Sequence, residues 1–267
     1  MEKIYAKKSL GQNFLKSKKA LSAMIEAGKV TSDDVTLEIG PGTGALTEKL
    51  LETGAKVIAI EKDDRLIEFL EEKFKNETNT GQLKVINGDI LEIDLKSIGL
   101  KNNNFKLIAN IPYYITGLIF RKFLSENIQP EKIVILVQKE IADRIVARDG
   151  KESLLSLSVK SYGKPIKIMK VGKENFSPKP KVDSAILLVD DISKKFFENI
   201  REESFFEIIK AGFAHKRKVL ISNLKDFSKK MGGKTLAEVF FASKIPEKSR
   251  AEDLKLEDWK TLLKNLA

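Results

Sequence analysis

The chain has 267 residues, a formal net charge of +10 and no cysteine. This length can bury a full core in one large or two modest domains. The lack of cysteine excludes disulfides, a thiolate nucleophile and a zinc–thiolate site. No apolar run reaches the length of a membrane span and the N-terminus has no signal-peptide core, so we expect a cytoplasmic protein without membrane association.

The positive charge lies at the two ends of the chain. Residues 1–20 carry six lysines against one glutamate, and residues 191–267 carry 17 Lys/Arg against 12 Asp/Glu, so each end holds +5. The body between them, 21–190, is neutral. Two basic ends around a neutral body favour a protein that grips a polyanion such as RNA or DNA. Charge that serves only solubility is the alternative at this point.

The order of the elements predicts an α/β fold. Apolar runs alternate with amphipathic segments, which predicts a doubly wound parallel sheet with helices on both faces. We predict strands at 35–39, 56–60, 83–86, 106–109, 132–137, 166–171 and 184–189, and helices at about 18–28, 44–53, 63–74, 117–125, 138–148 and 152–162. Lys/Glu-rich helical segments replace this rhythm from about residue 194. We therefore predict a catalytic α/β domain with a basic N-terminal arm at 1–192 and a small all-helical domain at 193–267.

A glycine-rich loop, Glu38-Ile39-Gly40-Pro41-Gly42-Thr43-Gly44, follows the first strand of the predicted sheet and opens a helix. Its glycines permit positive φ and let a ligand approach the backbone, while the helix N-terminus supplies free N–H donors. Glu61 ends the next strand, where a carboxylate can accept hydrogen bonds from both ribose hydroxyls. Asp89 follows the third strand and can accept from an adenine amine. These residues predict a nucleotide-containing cofactor.

Two classes of enzyme use this geometry. Nicotinamide enzymes carry the pattern G-x-G-x-x-G, whereas this loop reads G-x-G-x-G with Glu38 two positions before Gly40. Together with Asp89, that pattern resembles the S-adenosylmethionine site of class I methyltransferases. Carboxylates such as Glu38 would also attract a sulfonium. The loop alone leaves the nicotinamide enzymes open, and the next motif makes them remote.

The motif Asn110-Ile111-Pro112-Tyr113 ends a predicted strand and indicates methylation of a nucleobase amine. The adenine amine is a poor nucleophile because its lone pair is delocalised into the ring. The Asn110 side-chain oxygen and the Ile111 carbonyl can accept hydrogen bonds from its two N–H groups and free that lone pair. Pro112 stiffens the turn, and Tyr113 can stack on a base drawn out of its helix. Such a transfer depends on alignment and needs no metal ion.

Two later segments are candidate RNA contacts. Phe176 opens a proline-braced loop and is a candidate second stacking wall for the base, with packing in the core as the alternative. Lys179 and Lys181 in the same loop would meet phosphates. The run His215-Lys216-Arg217-Lys218 holds the only histidine of the chain. We interpret this run as a basic helical face that binds RNA, although a solvated run of charges would explain it about equally well.

With these motifs in this order, the chain resembles the KsgA/RsmA-type small-subunit ribosomal RNA adenine N6,N6-dimethyltransferases over nearly its whole length. The resemblance is carried by residues 12–15, 38–44, 61, 88–89, 110–113, 138–140, 176–184 and 211–224. It implies a Rossmann-like class I methyltransferase domain, with a mostly parallel doubly wound sheet, followed by a small all-helical rRNA-binding domain. It also implies a monomer that uses S-adenosylmethionine to dimethylate two adjacent adenines near the 3′ end of 16S rRNA, within the 30S subunit or its precursor late in biogenesis.

The same resemblance implies the residues that bind the cofactor. They are Asn13, Leu15, Gly40, Gly42, Glu61, Asp89, Ile90 and Asn110. The first two come from the N-terminal arm, which composition alone does not place beside a cofactor. Ile111 stands where the family usually has Leu, and Gly44 stands where Ala is frequent. Neither departure threatens the site, because the carbonyl of residue 111 is what the chemistry needs.

Two other functions compete with this interpretation. An Erm-type methyltransferase, which modifies a large-subunit rRNA adenine and confers macrolide resistance, shares the cofactor loop and an Asn-x-Pro-aromatic motif. Residues 182–184 and 211–224 favour the small-subunit family. The other competitor is a non-catalytic small-subunit assembly factor, or a transcription factor on the same fold. Glu61, Asp89 and Asn110 argue that catalysis is retained.

Overall fold

The computed structural model describes residues 6, 7, 10–227 and 235–266, which form two compact units. The first unit takes in the chain up to Ala142 together with Lys164–Ile192, and the second takes in Asp143–Gly163 and the chain from Ser193 onward. The boundary predicted after residue 192 lies where the first unit ends, at Ile192, and the second unit resumes, at Ser193. Residues 143–163 differ from the sequence-based division, because they belong to the second unit rather than to the α/β unit.

The first unit is built on a seven-stranded sheet. In chain order the strands of this unit are β1 (Phe14–Leu15), β2 (Val35–Ile39), β3 (Lys56–Glu61), β4 (Leu83–Asn87), β5 (Lys106–Ala109), β6 (Lys132–Gln138), β7 (Lys164–Val171), β8 (Phe176–Ser177) and β9 (Ser184–Asp190). The sheet has the order β4-β3-β2-β5-β6-β9-β7. Strands β2 to β6 are parallel to their neighbours within this group, and β9 is antiparallel to β6 and β7. The predicted α/β class is confirmed, and all seven predicted strands are present.

The apolar pattern of each strand follows from its place in the sheet. Strands β5 and β6 lie in the middle, and their near-continuous apolar runs are buried, as expected for strands covered on both faces. Lys106 is the one charged residue of β5. Its ammonium reaches the edge of the core, where it donates to the Lys29 carbonyl at 2.8 Å and pairs with Asp34 at 2.7 Å. Strand β7 lies at the sheet edge and exposes alternate residues.

The helices of this unit are α1 (Lys18–Gly28), α2 (Ala45–Leu51), α3 (Asp64–Lys73), α4 (Lys75–Asn79) and α5 (Thr116–Ser125), and α6 (Lys139–Ile145) continues into the second unit. Ser17 caps the N-terminus of helix α1, where its hydroxyl accepts the Ala20 N–H. Buried side chains of α1, α2 and α3 pack with those of the strands into one apolar core, including Met24, Leu50 and Leu70. This core fixes the strand ends that carry the polar residues described below.

A two-stranded ribbon, which sequence reasoning did not predict, joins the N-terminal arm to the loop after β7. Strands β1 and β8 are antiparallel, with Phe14 opposite Ser177 and Leu15 opposite Phe176. The Lys16 N–H extends the ribbon by donating to the Asn175 carbonyl at 2.8 Å. The side chains of Leu15 and Phe176 are buried in the apolar core of the unit. The arm is therefore attached to the α/β body at this point.

The second unit is helical in its described part. Its helices are α7 (Leu154–Lys160), α8 (Glu202–Gly212), α9 (Leu220–Asn223), α10 (Leu236–Ala242) and α11 (Leu256–Leu266). Trp259 of α11 is fully buried and stacks on Phe213 with ring centroids 5.9 Å apart. A Cβ at Gly212 would lie 2.3 Å from this indole, so only glycine fits there. None of the described helices is long and apolar enough to cross a membrane.

Candidate functional site

Residues at the carboxyl ends of four neighbouring strands meet at one end of the sheet. Gly40 follows β2, Glu61 ends β3, Asp89 follows β4 and Asn110 follows β5. Because these strands are parallel, their carboxyl ends share an edge, which is where open α/β sheets bind ligands. A cleft opens at this edge, and the predicted site residues that line it are Asn13, Gly40, Gly42, Glu61, Asp89, Ile90, Asn110, Ile111, Pro112 and Tyr113. The structure thus brings together the predicted cofactor and base residues, except Leu15 and Phe176.

The Glu61 carboxylate is fixed against the glycine-rich loop. One oxygen accepts the Gly42 N–H at 3.1 Å, and the other accepts the Asp63 N–H at 2.9 Å. Burial of the side chain raises the pKa of Glu61 against the lowering effect of these backbone donors. Each oxygen keeps a lone pair after these bonds. The carboxylate is therefore held at the cleft wall and can still accept from hydroxyl groups of a ligand.

Asp89 carries an ion pair at the rim of the cleft. Its Oδ2 lies 2.7 Å from the Lys62 Nζ, and its Oδ1 accepts the Leu91 N–H at 2.9 Å. The hydrogen bond from Lys62 is the main cause that lowers the pKa of Asp89, so this side chain is an acceptor only. Lys62 also lines the cleft and was not among the predicted site residues.

Glu38 differs from its sequence-based interpretation. It is fully buried, it does not line the cleft, and its Oε2 has no hydrogen-bond partner among the described residues. Burial raises the pKa of Glu38 to about 8, so its carboxyl group is mostly neutral at pH 7. The expectation that this carboxylate attracts a sulfonium stays a prediction.

Asp63 anchors the N-terminal arm to the turn between β3 and α3. Its side chain is fully buried and accepts from Lys7 Nζ at 3.1 Å, from Gln12 Nε2 at 3.0 Å and from two nitrogens of Arg65 at 2.9 and 2.6 Å. The Gln12 Oε1 in turn accepts the Lys7 N–H at 2.7 Å. Arg65 is the main cause that holds the pKa of Asp63 far below its usual range. One carboxylate therefore holds two residues of the arm.

The anchored arm forms one wall of the cleft through residues 10–14. Gly42 has φ of +58°, and a Cβ there would lie 2.9 Å from the Phe14 ring. The glycine is therefore needed both for its backbone conformation and for the close approach of the arm. Asn13 lines the cleft together with Gly40 and Gly42 of the glycine-rich loop, and its role as a cofactor ligand stays a prediction.

The Asn110 amide is oriented by the arm. Its Nδ2 donates to the Asn13 carbonyl at 3.1 Å, which makes Oδ1 the atom available to accept from a ligand. Pro112 precedes a short 3₁₀ turn, Tyr113–Ile115. The Tyr113 hydroxyl and the Ser184 hydroxyl lie 2.6 Å apart, and burial raises the pKa of Tyr113. The ring is therefore held at its far end while it lines the cleft.

Leu15 and Phe176 do not line the cleft. They are opposite partners in the β1–β8 ribbon, and Phe176 is only 4% exposed. The structure thus gives Phe176 the packing role that the sequence had left as the alternative. Its role as a second stacking wall, and the role of Leu15 as a cofactor ligand, stay predictions.

The basic candidates for RNA binding are exposed but lie away from regular elements. Lys179 and Lys181 occupy the loop between β8 and β9, in the first unit. His215 and residues 216–218 form an exposed turn between α8 and α9, so the expectation of a helical face is wrong. Asn223 braces this turn by donating to the Gly212 and His215 carbonyls at 2.6 and 3.1 Å. The basic side chains therefore project from a short braced turn.

Sequence reasoning gave no role to Lys62 or Asp63. Charged residues in the first turn of a helix are common, so nothing in the pattern distinguished Asp63 from its neighbour Asp64. Gln12 lay in a segment that carried the family resemblance, but its bond to Asp63 joins residues 51 positions apart. Only the fold brings these two side chains together.

Comparisons with known proteins agree with this geometry. The family described as ribosomal RNA adenine dimethylase matches the chain over residues 4–267. A relative from Dehalococcoides mccartyi, called ribosomal RNA small subunit methyltransferase A, is 39% identical over 96% of this chain and 87% of its own. A relative of the same name from Alkaliphilus oremlandii is 37% identical over 97% of this chain and 91% of its own.

Two crystal structures share the fold over nearly the whole chain. A dimethyladenosine transferase from Plasmodium falciparum has a TM-score of 0.78 and 28% identity, and covers 93% of this chain and 95% of its own. The 23S rRNA methyltransferase ErmE has a TM-score of 0.77 and 25% identity, and covers 95% of this chain and 99% of its own. With the family match extending over nearly all its residues, the chain belongs to the ribosomal RNA adenine dimethylase family.

Proposed function

We propose that this protein transfers methyl groups from S-adenosylmethionine to the N6 atoms of two adjacent adenines near the 3′ end of 16S rRNA. The observation that carries the proposal is the position of Asn110. It lies at the carboxyl end of β5, in the same cleft as Glu61 and Asp89, with its amide nitrogen bonded to the arm. A nucleoside-binding wall and an oriented amide oxygen are thereby combined in one cleft.

The residues of the cleft fit the cofactor. Gly40 has positive φ and no heavy atom within 4 Å of the place where a Cβ would lie, so it leaves room for a ligand against the backbone, and Gly42 lines the same cleft. The Glu61 carboxylate can accept from ribose hydroxyls, and the Asp89 carboxylate can accept from the adenine amine. Asn13, Ile90 and Asn110 would complete the contacts. When bound, S-adenosylmethionine supplies a methyl group on a positively charged sulfur.

Asn110 and Ile111 would prepare the target amine for attack. Oδ1 of Asn110 and the carbonyl of Ile111 can each accept one hydrogen bond from the amine, which localises the nitrogen lone pair. The Tyr113 ring, held by its hydroxyl on Ser184, can stack on the extracted base. The residues bind and align the amine, and alignment supplies most of the rate.

Sequence similarity supports the small subunit as the substrate. The TM-scores of 0.78 and 0.77 do not separate a dimethyladenosine transferase from a 23S rRNA methyltransferase. Sequence identity separates the two functions. The relatives named for the small subunit are 39% and 37% identical to this chain, and ErmE is 25% identical. We propose a monomer that acts in the cytoplasm on the 30S subunit or its precursor. An Erm-type activity and a non-catalytic assembly role are the competing outcomes.

The experiment is methyl transfer from labelled S-adenosylmethionine to purified 30S and 50S subunits that lack the modifications. The modified nucleosides are identified by mass spectrometry. Dimethyladenosine in 30S alone supports the proposed function. Label in 50S would indicate the Erm-type activity, and absence of label from both would indicate a binding factor.

A further inference from the structure

Two large apolar side chains at the rim of the cleft are exposed to solvent. Tyr114 is 65% exposed and Leu118 is 48% exposed, and both line the cleft. Among the described residues, six large hydrophobic side chains are exposed, and only these two line the cleft. Apolar side chains grouped beside a polar site mark a contact surface for a ligand. The mechanism proposed above uses neither of them.

The backbone holds the Tyr114 ring in its outward position. Successive side chains of a 3₁₀ turn point about 120° apart, so Tyr113 reaches inward to Ser184 while Tyr114 points out. The ring lies against Gly11 of the arm, where a Cβ would come within 3.3 Å of the ring carbon Cε1. Leu118 lies about one helical turn further on, at the spacing that places side chains on one face. The ring therefore lies at the rim of the cleft, between the arm and Leu118.

We propose that Tyr114 and Leu118 form a platform on which the nucleotide next to the target adenine stacks. This inference rests on the proposed function and deepens it, because it names the subsite for the second base. Drawing one adenine into the cleft leaves its neighbour with an unstacked face. Exposed aromatic rings beside a cation are the usual surface for single-stranded bases, and Lys62 at the same rim has a side chain that is 56% exposed. The second adenine occupies the platform while the first occupies the cleft.

The test compares Tyr114→Ala, Tyr114→Leu and Tyr114→Phe with the wild type in methyl transfer to unmodified small subunits. Since stacking of one base on an aromatic ring contributes about 1–3 kcal/mol, the Ala and Leu variants should raise the KM for subunits at least about fivefold. The Phe variant keeps the ring and should stay within about twofold of the wild type. The KM for S-adenosylmethionine should stay unchanged in all three. Ile166→Ala, at an exposed apolar position on edge strand β7, is the matched control and should change neither KM.

A second measurement isolates the neighbouring base. The dinucleotide ApA is compared with an analogue whose second nucleotide lacks its base, each titrated in the presence of S-adenosylhomocysteine. The wild type and Tyr114→Phe should bind ApA at least about fivefold more tightly than the analogue. The Tyr114→Ala variant should bind the two dinucleotides equally.

Three results would overturn the platform. They are an unchanged KM for subunits in Tyr114→Ala, a Leu variant that equals the Phe variant, and a parallel rise in the KM for S-adenosylmethionine, which would assign Tyr114 to packing of the arm. If the wild type methylates no small subunit, the proposed function fails by itself. The dinucleotides then decide the platform alone, and equal binding of the two by the wild type overturns it.

Discussion

The Asn110 side-chain amide donates to the main-chain carbonyl of Asn13 at 3.1 Å, although the two residues are 97 positions apart. Asn13 also donates from its own side chain to the Gly11 carbonyl at 3.0 Å. The conformation of the arm therefore decides which way the Asn110 amide faces. An amide rotated by half a turn would present two N–H donors to an amine that itself needs acceptors. In the proposed mechanism the arm therefore orients the Asn110 amide as well as forming a wall of the cleft.

Asp63→Asn is expected to loosen the arm. The amide carries no charge and cannot accept all the bonds from Lys7, Gln12 and Arg65, and each charge-assisted bond contributes about 1–3 kcal/mol. Lys7 and Arg65 are about half exposed, so water can solvate their charges after the change. The free energy that is lost is therefore mainly that of attaching the arm. We expect affinity for S-adenosylmethionine to fall about tenfold and proteolysis within the arm to quicken. Calorimetric titration and limited digestion measure the two effects.

Asp64→Asn is the control for this variant. Asp64 is adjacent in sequence and exposed, and it accepts from Asn87 rather than from the arm. We expect its cofactor affinity and digestion rate to match the wild type. Equal cofactor affinity in both variants would show that the Asp63 cluster does not position the arm.

Glu38 should make the stability of the fold depend on pH. Its pKa is raised by burial to about 8 in the folded chain, against an ordinary value of 4.5. Between these values the folded state holds a proton that the unfolded state has lost, so the free energy of unfolding falls as pH rises from about 5 to 8. Glu38→Gln cannot titrate and should lack about 2–3 kcal/mol of that fall. Urea unfolding at pH 5.5 and 8 measures both slopes.

Glu48→Gln, at an exposed position on α2, serves as the control and should keep the wild-type slope. A Glu38→Gln protein whose stability falls with pH as steeply as the wild type would show that Glu38 is not the group responsible.

The basic turn at 216–218 should contribute salt-dependent binding to RNA. Replacement of Lys216, Arg217 and Lys218 by glutamine should weaken binding to small subunits. It should also reduce the slope of log K against log salt by about 2–3, since each neutralised phosphate contact contributes about 0.7–0.9. Filter binding at several salt concentrations measures the slope, and cofactor affinity should not change.

The matched variant replaces Lys244, Lys248 and Lys264, which are exposed elsewhere in the helical unit. It removes the same charge and should change the slope less. If the two triple variants behave alike, the turn contributes only net charge and makes no phosphate contact of its own.

The α/β core could be predicted because its signals are local. Runs such as 106–109 and 132–137 are apolar over the length of a buried strand, and the spacing of Glu61 and Asp89 follows from the parallel order of the strands. The glycine-rich loop and the Asn110 motif carry their chemistry in adjacent residues. The predicted site residues that end or follow these strands therefore line one cleft in the structure.

The features that were missed depend on contacts between distant residues. The β1–β8 ribbon has two residues per strand and pairs positions more than 160 residues apart, so no periodicity marks it. The bonds from Gln12 to Asp63 and from Asn110 to Asn13 also lack any local pattern. The run 215–218 is predicted to be a basic helical face, but Asn223 ties the Gly212 and His215 carbonyls into a turn. The helices predicted at 138–148 and 152–162 carry no local sign of the unit to which they belong, and only packing assigns residues 143–163 to the helical unit.

The most direct test of the proposed site is the rate of methyl transfer to unmodified small subunits by Asn110→Ala and Asn110→Asp under single-turnover conditions. Removal of one well-placed polar group from a reaction centre costs about 100-fold or more in rate. We predict that loss for Asn110→Ala, with subunit binding unchanged and cofactor affinity within about tenfold. Asn110→Asp keeps an acceptor but lacks the N–H bonded to Asn13, so its rate should lie between those of the wild type and Asn110→Ala. Asn104→Ala, at an exposed loop position, should behave as the wild type. Transfer by Asn110→Ala at the wild-type rate would contradict the role of Asn110 in holding the amine.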